Sequence, residues 1–427
     1  MFHTEDENVR KLLFKGNFGL EKEMLRITPE GRLSHTLHPF SDKHIVRDFC
    51  ENQTEINTSV YRTAEEAAEA LYSHTKDIQK VLSSLEEPEL LWPFSNPVYI
   101  HNEEDVPVAQ FHGEQAEKTR YREYLSDRYG RYKMTLSGIH VNYSFADELL
   151  QADFKASGMN DFRKYRDQLY VVLAEQAAAY AWIVTAVTAA SPLMDASYVE
   201  KGVHGRTAFN GMSSTRCSEL GYWNYFTPTF DYADLEKYTD SIQSYVDSGL
   251  LAAPSELYFP VRLKPRGINN LNRLREEGVD HIELRNVDLN PLELSGINVK
   301  DLKFVQYLLV WLAGKERQPF ELRDQVQAVQ NFKNAAHYDL KTVKIVVPNG
   351  EVYSVAGAAL NVIQFMRDFY GSFEEYESVI KPVLDFEEEK FVNPECRYAW
   401  KIRQEYADHF LEKGLELAKY HQQEILK

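Results

Sequence analysis

Alternation of apolar and polar positions marks several segments of the chain as strands with two unlike faces. In residues 137–145, Ile139, Val141, Tyr143 and Phe145 fall on one side and Gly138, His140, Asn142 and Ser144 on the other. A period of two with this separation predicts a strand whose one face packs on a core and whose other face is polar. Residues 19–27 place Glu21, Glu23, Leu25 and Ile27 on a common face, so two carboxylates project to the same side. In residues 281–288, Ile282 and Leu284 oppose Glu283 and Arg285. The extended stretch 45–57 carries Glu51, Gln53 and Glu55 in phase, with Asp48 out of phase on a bulge or on the preceding loop. Residues 256–263 read as a further strand. Residues 342–347 and 351–355 read as a hairpin about Pro348-Asn349-Gly350.

A period near 3.6 predicts helices elsewhere. Residues 6–14 form a short one, and a longer one runs to about Ser84 from Thr63, which makes a capping box with Glu66. Residues 116–129 form a polar helix rich in Tyr and Arg. Residues 161–190 form a long helix stopped by Pro192, followed by helices at 231–249 and 300–314. From Ala356 to Lys427 the chain is mainly helical. Residues 196–230 have little periodicity but carry Tyr198, Tyr222, Tyr225 and Arg216, the composition of a binding loop rather than of a disordered one. With no internal repeat and no low-complexity linker, the reading is α+β. It is one catalytic domain over 1–427, with a core at about 15–315 and a mainly helical C-terminal part at 316–427.

Composition narrows the function. The chain has 427 residues, 44% of them hydrophobic, enough for a sizeable core. Its net charge of −17 argues against non-specific nucleic-acid binding and against an anionic membrane surface, though a locally basic or cation-filled site can still take an anionic substrate. Cys50, Cys217 and Cys396 give neither a disulfide framework nor a zinc pattern, which fits a reducing cytoplasm. The N-terminal residues show no signal-peptide pattern, and the apolar run 177–190 is too short to span a bilayer and reads as a buried helix. There is no Gly-rich phosphate loop and no nucleophile elbow, and Cys50 beside carboxylates is a poor nucleophile.

Four segments thus share one design: an apolar face, and a face bearing Glu21 and Glu23, Glu55, His140, or Glu283 and Arg285. Side by side in an antiparallel sheet they would make a concave acidic surface able to hold two or three Mg²⁺ ions, and the ions could hold a nucleoside triphosphate. Arg285 beside Glu283 is placed to bind a transferring phosphoryl group. Taken singly, His140 reads as a structural histidine and Asp288 as a cap of the turn before Pro291, while Glu283 with Arg285 is open between a cross-strand salt-bridge set and a functional pair. Repetition of the arrangement across separate strands favours the site.

At these residues the chain resembles the glutamate–cysteine ligases (γ-glutamylcysteine synthetases) of the bacterial type, including the ligase half of fused bifunctional glutathione synthetases. The likeness rests on GLEKEMLRI (19–27), DFCENQTEI (48–56), LWPFSNPVYI (91–100), YREYLSDRYG (121–130), TLSGIHVNYS (135–144), RCSELGYWN (216–224), ELYFPVRLKP (256–265) and HIELRNVDLNP (281–291). It covers about residues 15–315. The resemblance implies a glutamine-synthetase-like carboxylate–amine ligase fold, with an antiparallel sheet as the active-site floor and helices around it. It implies that ATP phosphorylates the γ-carboxylate of L-glutamate and that the amine of L-cysteine displaces phosphate, the first step of glutathione biosynthesis. Glu21, Glu23, Asp48, Glu55, His140 and Glu283 then correspond to the ligands of Mg²⁺, or of Mn²⁺ in its place. Arg285 corresponds to the catalytic contact to the transferred phosphoryl group. Tyr121, Leu125, Arg216, Tyr222 and Tyr258 correspond to the pocket of the acceptor. Arg262 and Lys264 are candidate nucleotide contacts on charge and position.

Met134 stands where some relatives carry a glutamine near that pocket, which leaves the acceptor amine open. Lacking the ATP-grasp extension of the fused enzymes, the chain is not expected to make glutathione itself. Residues 320–427 match the family only loosely. The expected partners are small molecules (L-glutamate, L-cysteine and ATP), with no nucleic acid and no membrane, and the chain is expected to be a monomer or weak homodimer. The alternatives are a glutamate ligase with another acceptor, a non-catalytic homologue that binds nucleotide or amino acid, and a phosphotransferase of the guanidino-kinase kind.

Overall fold

In chain order the strands are β1 (Gly16–Ile27), β2 (Ile45–Arg47), β3 (Gln53–Asn57), β4 (Leu90–Leu91), β5 (Gly138–Phe145), β6 (Leu193–Asp195), β7 (Thr207–Phe209), β8 (Val261–Lys264), β9 (His281–Asp288), β10 (Lys344–Val346) and β11 (Val352–Ser354). The structure is a computed structural model that describes residues 1–200 and 202–427. The main sheet runs in the order β2-β3-β1-β5-β9-β8, with β4 added to the end of β1. Each of its pairings is antiparallel. The protein is therefore a mixed helix-and-sheet fold built on an antiparallel sheet. The strands β6 with β7, and β10 with β11, form small separate ribbons.

The two faces of the sheet divide as the alternation predicts. Leu20 and Met24 of β1, Ile139, Val141 and Tyr143 of β5, and Ile282 and Leu284 of β9 enter one large apolar core with the helices Phe162–Thr188 and Val299–Gly314. On the other face, Leu25 and Ile27 belong to a second core with Phe49, Trp92, Phe94 and the C-terminal Phe410. Glu21 and Glu23 thus lead along β1 towards an apolar floor and not into open solvent. The 27-residue helix Phe162–Thr188 is long and apolar enough to cross a membrane by length and composition, but its apolar window is wholly buried inside the protein. It is a core helix, as expected, and longer than the apolar run 177–190.

Lys22 points to the large core, opposite the two glutamates. It is buried, and its ammonium donates to Thr75 Oγ1 at 3.2 Å. Burial pulls its pKa down to about 7, because desolvation disfavours the charged form.

The long helices and the site strands match the sequence reading closely. Thr63 does cap Ala64–Ser83 by accepting from Glu66 N–H, but Glu66 reaches back to Arg62 and not to Thr63, so only half the capping box forms. The predicted strand over 256–263 forms only as β8. Asn224 intervenes, accepting from Tyr258 N–H and donating to the Glu256 carbonyl, and Pro260 has no N–H to give a ladder. The expected helix at 6–14 shortens to Glu7–Arg10. Elements outside the sequence reading include the helices Asp147–Ser157, Leu271–Glu277 and Leu322–Ala335, the short strand β4, and the β6–β7 ribbon, whose second strand lies inside the predicted binding loop. The C-terminal helices pack back on the body. Leu322–Ala335 lies on Phe162–Thr188, Lys381–Val392 lies on Val299–Gly314, and Phe410–Leu426 lies on Ala64–Ser83 and β4.

Candidate active site

Register brings the ionisable groups into rows across the sheet. Glu21 faces His140, Glu23 faces Glu55, and Glu283 lies between Asn142 on β5 and Arg262 on β8. The register of β5 on β9 shifts between Ile139 and Val141, beside His140, which is where a bulge re-aims a side chain. His140 is the hub. Its Nδ1 lies 2.8 Å from Glu21 Oε2 and 3.7 Å from Glu283 Oε1, and its Nε2 lies 3.5 Å from Glu23 Oε1. Ligand atoms of Glu21, His140 and Glu283 all fall within 4.8 Å of one another. Asn142 Nδ2 steadies Glu21 at 3.0 Å, and the Gly138 N–H donates to Glu23 at 2.9 Å.

Cations frame this cluster. Arg285 Nη1 and Lys264 Nζ lie 3.0 and 3.1 Å from Glu283 Oε1. Arg216 Nη2 lies 3.1 Å from His140 Nε2, and its Nη1 donates to the Arg285 carbonyl at 2.6 Å. Burial works against ionisation of Glu283, but Arg285, Lys264 and Arg262 together hold its carboxyl well below the usual range. Burial likewise opposes ionisation of Glu21, and the hydrogen bond with His140 outweighs it, so that carboxyl also lies low. The other three carboxyls go up. Burial, then repulsion from Asp48, pushes Glu23 to about 8. Glu55 is raised well above its ordinary value by burial and by Asp48, Glu21 and Glu23. Asp48, on the loop after β2, is raised chiefly by burial. His140 is depressed to about 4 by burial and the neighbouring Arg285.

A divalent cation fits this donor set. Oxygen donors and one imidazole converge on a small space, and Glu283 Oε2 is buried with no hydrogen-bond partner among the described residues. Three carboxyls held above their usual range carry repulsion that a cation between them would relieve.

Two cavities adjoin the cluster. One of about 960 Å³ is lined by Asn17, Glu21, Arg62, Asn142, Arg166 and Lys264 among others, so its anionic floor meets a cationic wall. A second, of about 50 Å³, lies between Arg216, Tyr222, Trp223, Tyr258, Arg285 and Phe332. Tyr222 and Tyr258 meet edge to face at 4.6 Å. Arg216 Nε and Tyr258 Oη are buried without partners among the described residues.

The residues picked out by sequence are therefore not all in one place. Glu21, Glu23, His140, Glu283, Arg285, Lys264 and Arg216 meet directly. Glu55 and Asp48 adjoin Glu23. Tyr222 and Tyr258 line the small cavity, whereas Tyr121 and Leu125, on the helix Ala116–Tyr129, pack in the second core beside Tyr258. Arg262 is separated from Lys264. Its guanidinium donates to the carbonyls of Ser255 and Leu257 and lines a different cavity, of about 390 Å³. Asp288 does not cap the turn before Pro291. It is buried and accepts from Ala190 N–H, Ser191 Oγ and Ser214 Oγ at 2.7–2.9 Å. Cys50 is buried with its thiol pushed up, first by burial and then by Asp48, in line with its reading as a poor nucleophile. Asn142 and Gly138 were legible as members of the polar face of β5. Arg62 and Arg166 carried no signal, because the turn before the helix Ala64–Ser83 and the helix Phe162–Thr188 bring them to the cavity from distant parts of the chain.

Comparison with solved structures shows the same fold in a glutamate–cysteine ligase from Francisella tularensis in complex with AMP. That likeness has a TM-score of 0.85 at 20% identity and covers 97% of this chain and 89% of the other. A bifunctional glutathione synthetase from Pasteurella multocida matches with a TM-score of 0.82 at 27% identity, over 99% of this chain and 54% of its own. The fold is thus one shared with ligases of glutathione synthesis. By sequence, the family model for glutamate–cysteine ligase matches residues 2–249 and 227–335. The glutathione biosynthesis bifunctional protein GshAB of Listeria monocytogenes (serovar 1/2a) is 32% identical over 436 residues, 98% of this chain and 56% of that protein. The GshAB protein of Clostridium perfringens is 30% identical over 458 residues, 99% of this chain and 58% of that protein. The chain belongs to the glutamate–cysteine ligase family, and it spans little more than half the length of these curated relatives.

Proposed function

We propose that the protein joins the γ-carboxylate of L-glutamate to the amine of L-cysteine at the expense of ATP, giving γ-glutamylcysteine, ADP and phosphate. The observation that carries this reading is the convergence of Glu21, His140 and Glu283 with Arg285 and Lys264 at the large cavity, while Arg216 links the same cluster to the small one. A carboxylate anion is a poor electrophile, so its oxygen first takes the γ-phosphoryl group, with cleavage of the bond to the β-phosphate oxygen. The acceptor nitrogen then attacks the acyl carbon, loses its proton, and phosphate leaves. Mg²⁺ (or Mn²⁺) held by Glu21, Glu23, Asp48, Glu55, His140 and Glu283 would supply charge neutralisation for the phosphate oxygens.

The remaining roles belong to this chain's own groups. Arg285 projects from β9 next to Glu283 and stabilises the transferring phosphoryl group. Lys264 faces the large cavity and offers a point charge to the nucleotide. Arg216 presents a buried Nε–H, and Tyr258 a hydroxyl, both without partners among the described residues, to the acceptor carboxylate. The edge-to-face Tyr222–Tyr258 pair limits the small cavity to a short side chain. In this reading the sheet is of the glutamine-synthetase-like kind and the chain acts as one catalytic unit. The free cysteines suit a cytoplasmic setting.

The decisive experiment is ADP release with glutamate and a panel of amines, with the product identified by mass spectrometry. Cysteine is expected to stimulate release and to appear in a γ-linked amide. Stimulation by another amine with cysteine inert would overturn the assignment of the acceptor. A phosphorylated product with no amide would overturn the ligase.

A further inference from the structure

The acceptor-side arginine is held from a distance by the C-terminal helical part. Arg216 sits at the end of a short segment, 211–216, that is held from two sides. From below, Asp288 at the end of β9 accepts from Ser214 Oγ at 2.9 Å and from Ser191 Oγ at 2.7 Å. From above, the Ala336 carbonyl accepts from the N–H groups of both Ser213 and Ser214, at 2.7 and 3.1 Å, and Tyr338 N–H donates to the Gly211 carbonyl at 2.8 Å. Ala336 and Tyr338 follow the helix Leu322–Ala335.

Arg397, the residue just before the helix Tyr398–Tyr406, closes this arrangement. Its Nη2 donates to Ser213 Oγ at 2.7 Å and its Nη1 to the Tyr338 carbonyl at 2.5 Å. Only 3% of Arg397 is exposed. Ser213, Ser214 and Thr215 are at most 1% exposed, so the segment has no water to substitute for a lost partner. Three residues beyond Ser213, the Arg216 guanidinium lies across Gly138 to reach His140 and the Arg285 carbonyl.

We propose that Arg397, through Ser213, is a positioning residue for acceptor binding: the C-terminal helices brace the turn that aims Arg216 into the acceptor cavity. This rests on the functional reading above only for the identity of what Arg216 binds. A buried guanidinium with two fixed donors tolerates little displacement of Ser213, because movement would leave an N–H unpaired. A turn released by about 1 Å mis-aims Arg216, and errors of that size in positioning groups change rates by about 10²-fold at the upper end.

The test compares Arg397→Lys and Ser213→Ala with the unmodified protein. Initial rates are measured with ATP, glutamate and acceptor each varied, with hydrogen exchange of peptides spanning 207–222 followed in parallel. The expected result is a rise of roughly tenfold in the acceptor KM, with the ATP KM within about twofold and faster exchange in 207–222. Acceptor KM unchanged in folded Ser213→Ala would overturn the proposal. So would ATP and acceptor constants rising together, or kcat falling alone, since those report general damage. If Arg397→Lys does not fold, Ser213→Ala carries the same test. If the unmodified protein shows no amine-dependent ADP release, the functional reading fails by itself. The brace is then judged on exchange, and unchanged protection of 207–222 in the variants overturns it.

Discussion

Gly138 and Arg216 occupy the same space: a Cβ added to Gly138 would lie 2.5 Å from the guanidinium carbon of Arg216. The first residue of β5 is glycine because an arginine crosses it. Gly221 does the same for the backbone, since a Cβ there would lie 2.0 Å from the Arg216 carbonyl oxygen. Together they let Arg216 lie flat across Gly138, with its Nη2 edge towards His140.

Gly138→Ala should therefore displace Arg216 while the strand itself survives. The expected outcome is an acceptor KM raised about tenfold or more, with the ATP KM close to that of the unmodified protein, in steady-state rates. Overpacking should also lower stability by about 1–3 kcal/mol in urea unfolding. An unchanged acceptor KM would mean that Arg216 does not bind the acceptor.

Glu23 is the carboxylate whose charge state should report metal binding. Its folded pKa of about 8 lies above the ordinary value, because burial and Asp48 disfavour the anion. A raised folded value means that the metal-free protein gains stability below the unfolded pKa and loses it as pH rises towards 8. Glu23→Gln removes that dependence, so its melting temperature in chelator should vary less between pH 5 and 8. Mg²⁺ affinity of the unmodified protein should increase over the same range, with proton release visible by calorimetry in buffers of different ionisation enthalpy. With its fold intact by circular dichroism, the variant should lose Mg-ATP turnover by on the order of 10²-fold. Normal turnover would remove Glu23 from the metal set.

Much of this site could be read from alternation alone. The polar faces of β1, β5 and β9 put Glu21, Glu23, His140, Asn142, Glu283 and Arg285 on one surface, because a strand has a strict period of two and one of its faces must reach a core. Asp48 fell out of phase for the reason anticipated, as it lies on the loop after β2. What escaped depends on contacts between distant segments. Arg262 shares the charge and strand of Lys264, yet two carbonyls of its own preceding loop hold it away from the large cavity. Asp288 sits before a Pro-containing turn and so imitates a cap, while its true partners, Ala190, Ser191 and Ser214, are 74 or more residues away. The role of Arg397 has no local signature at all.

Lys22 offers a second pH probe on the opposite face. Its folded pKa, drawn down to about 7 by burial, lies below the unfolded value. Here the unfolded chain binds the extra proton between the two values, so this group costs stability at pH 7 and less as pH rises towards 10. Lys22→Met keeps the length of the side chain and removes the charge. It should stabilise the protein by on the order of 1 kcal/mol at neutral pH, and the gain should grow at pH 6 and shrink at pH 9. Chemical unfolding at these three pH values measures it. A loss of stability at every pH would mean that the Thr75 hydrogen bond outweighs desolvation.

The buried cluster that fastens the C-terminal helices gives the sharpest stability contrast. Lys390 Nζ lies 2.7 Å from both Asp301 Oδ1 and Glu387 Oε2 and donates to the Val187 carbonyl at 2.9 Å, while Tyr398 Oη donates to Asp301. All of these side chains are buried. Burial, together with Asp301, holds the Glu387 carboxyl well above its ordinary range against the pull of Lys390. That direction favours the neutral carboxyl, which would leave one cation facing one anion. Lys390→Met would leave Asp301 as an unpaired buried charge, at a cost of about 3–5 kcal/mol. With Glu387 neutral, Glu387→Gln would exchange an acid for an amide of the same shape and should change stability by less than about 1 kcal/mol. Urea unfolding of the two variants at pH 7 compares these directly. Equal losses would mean that Glu387 is ionised and that Lys390 balances two charges, with the C-terminal helices held by a triad and not by a pair.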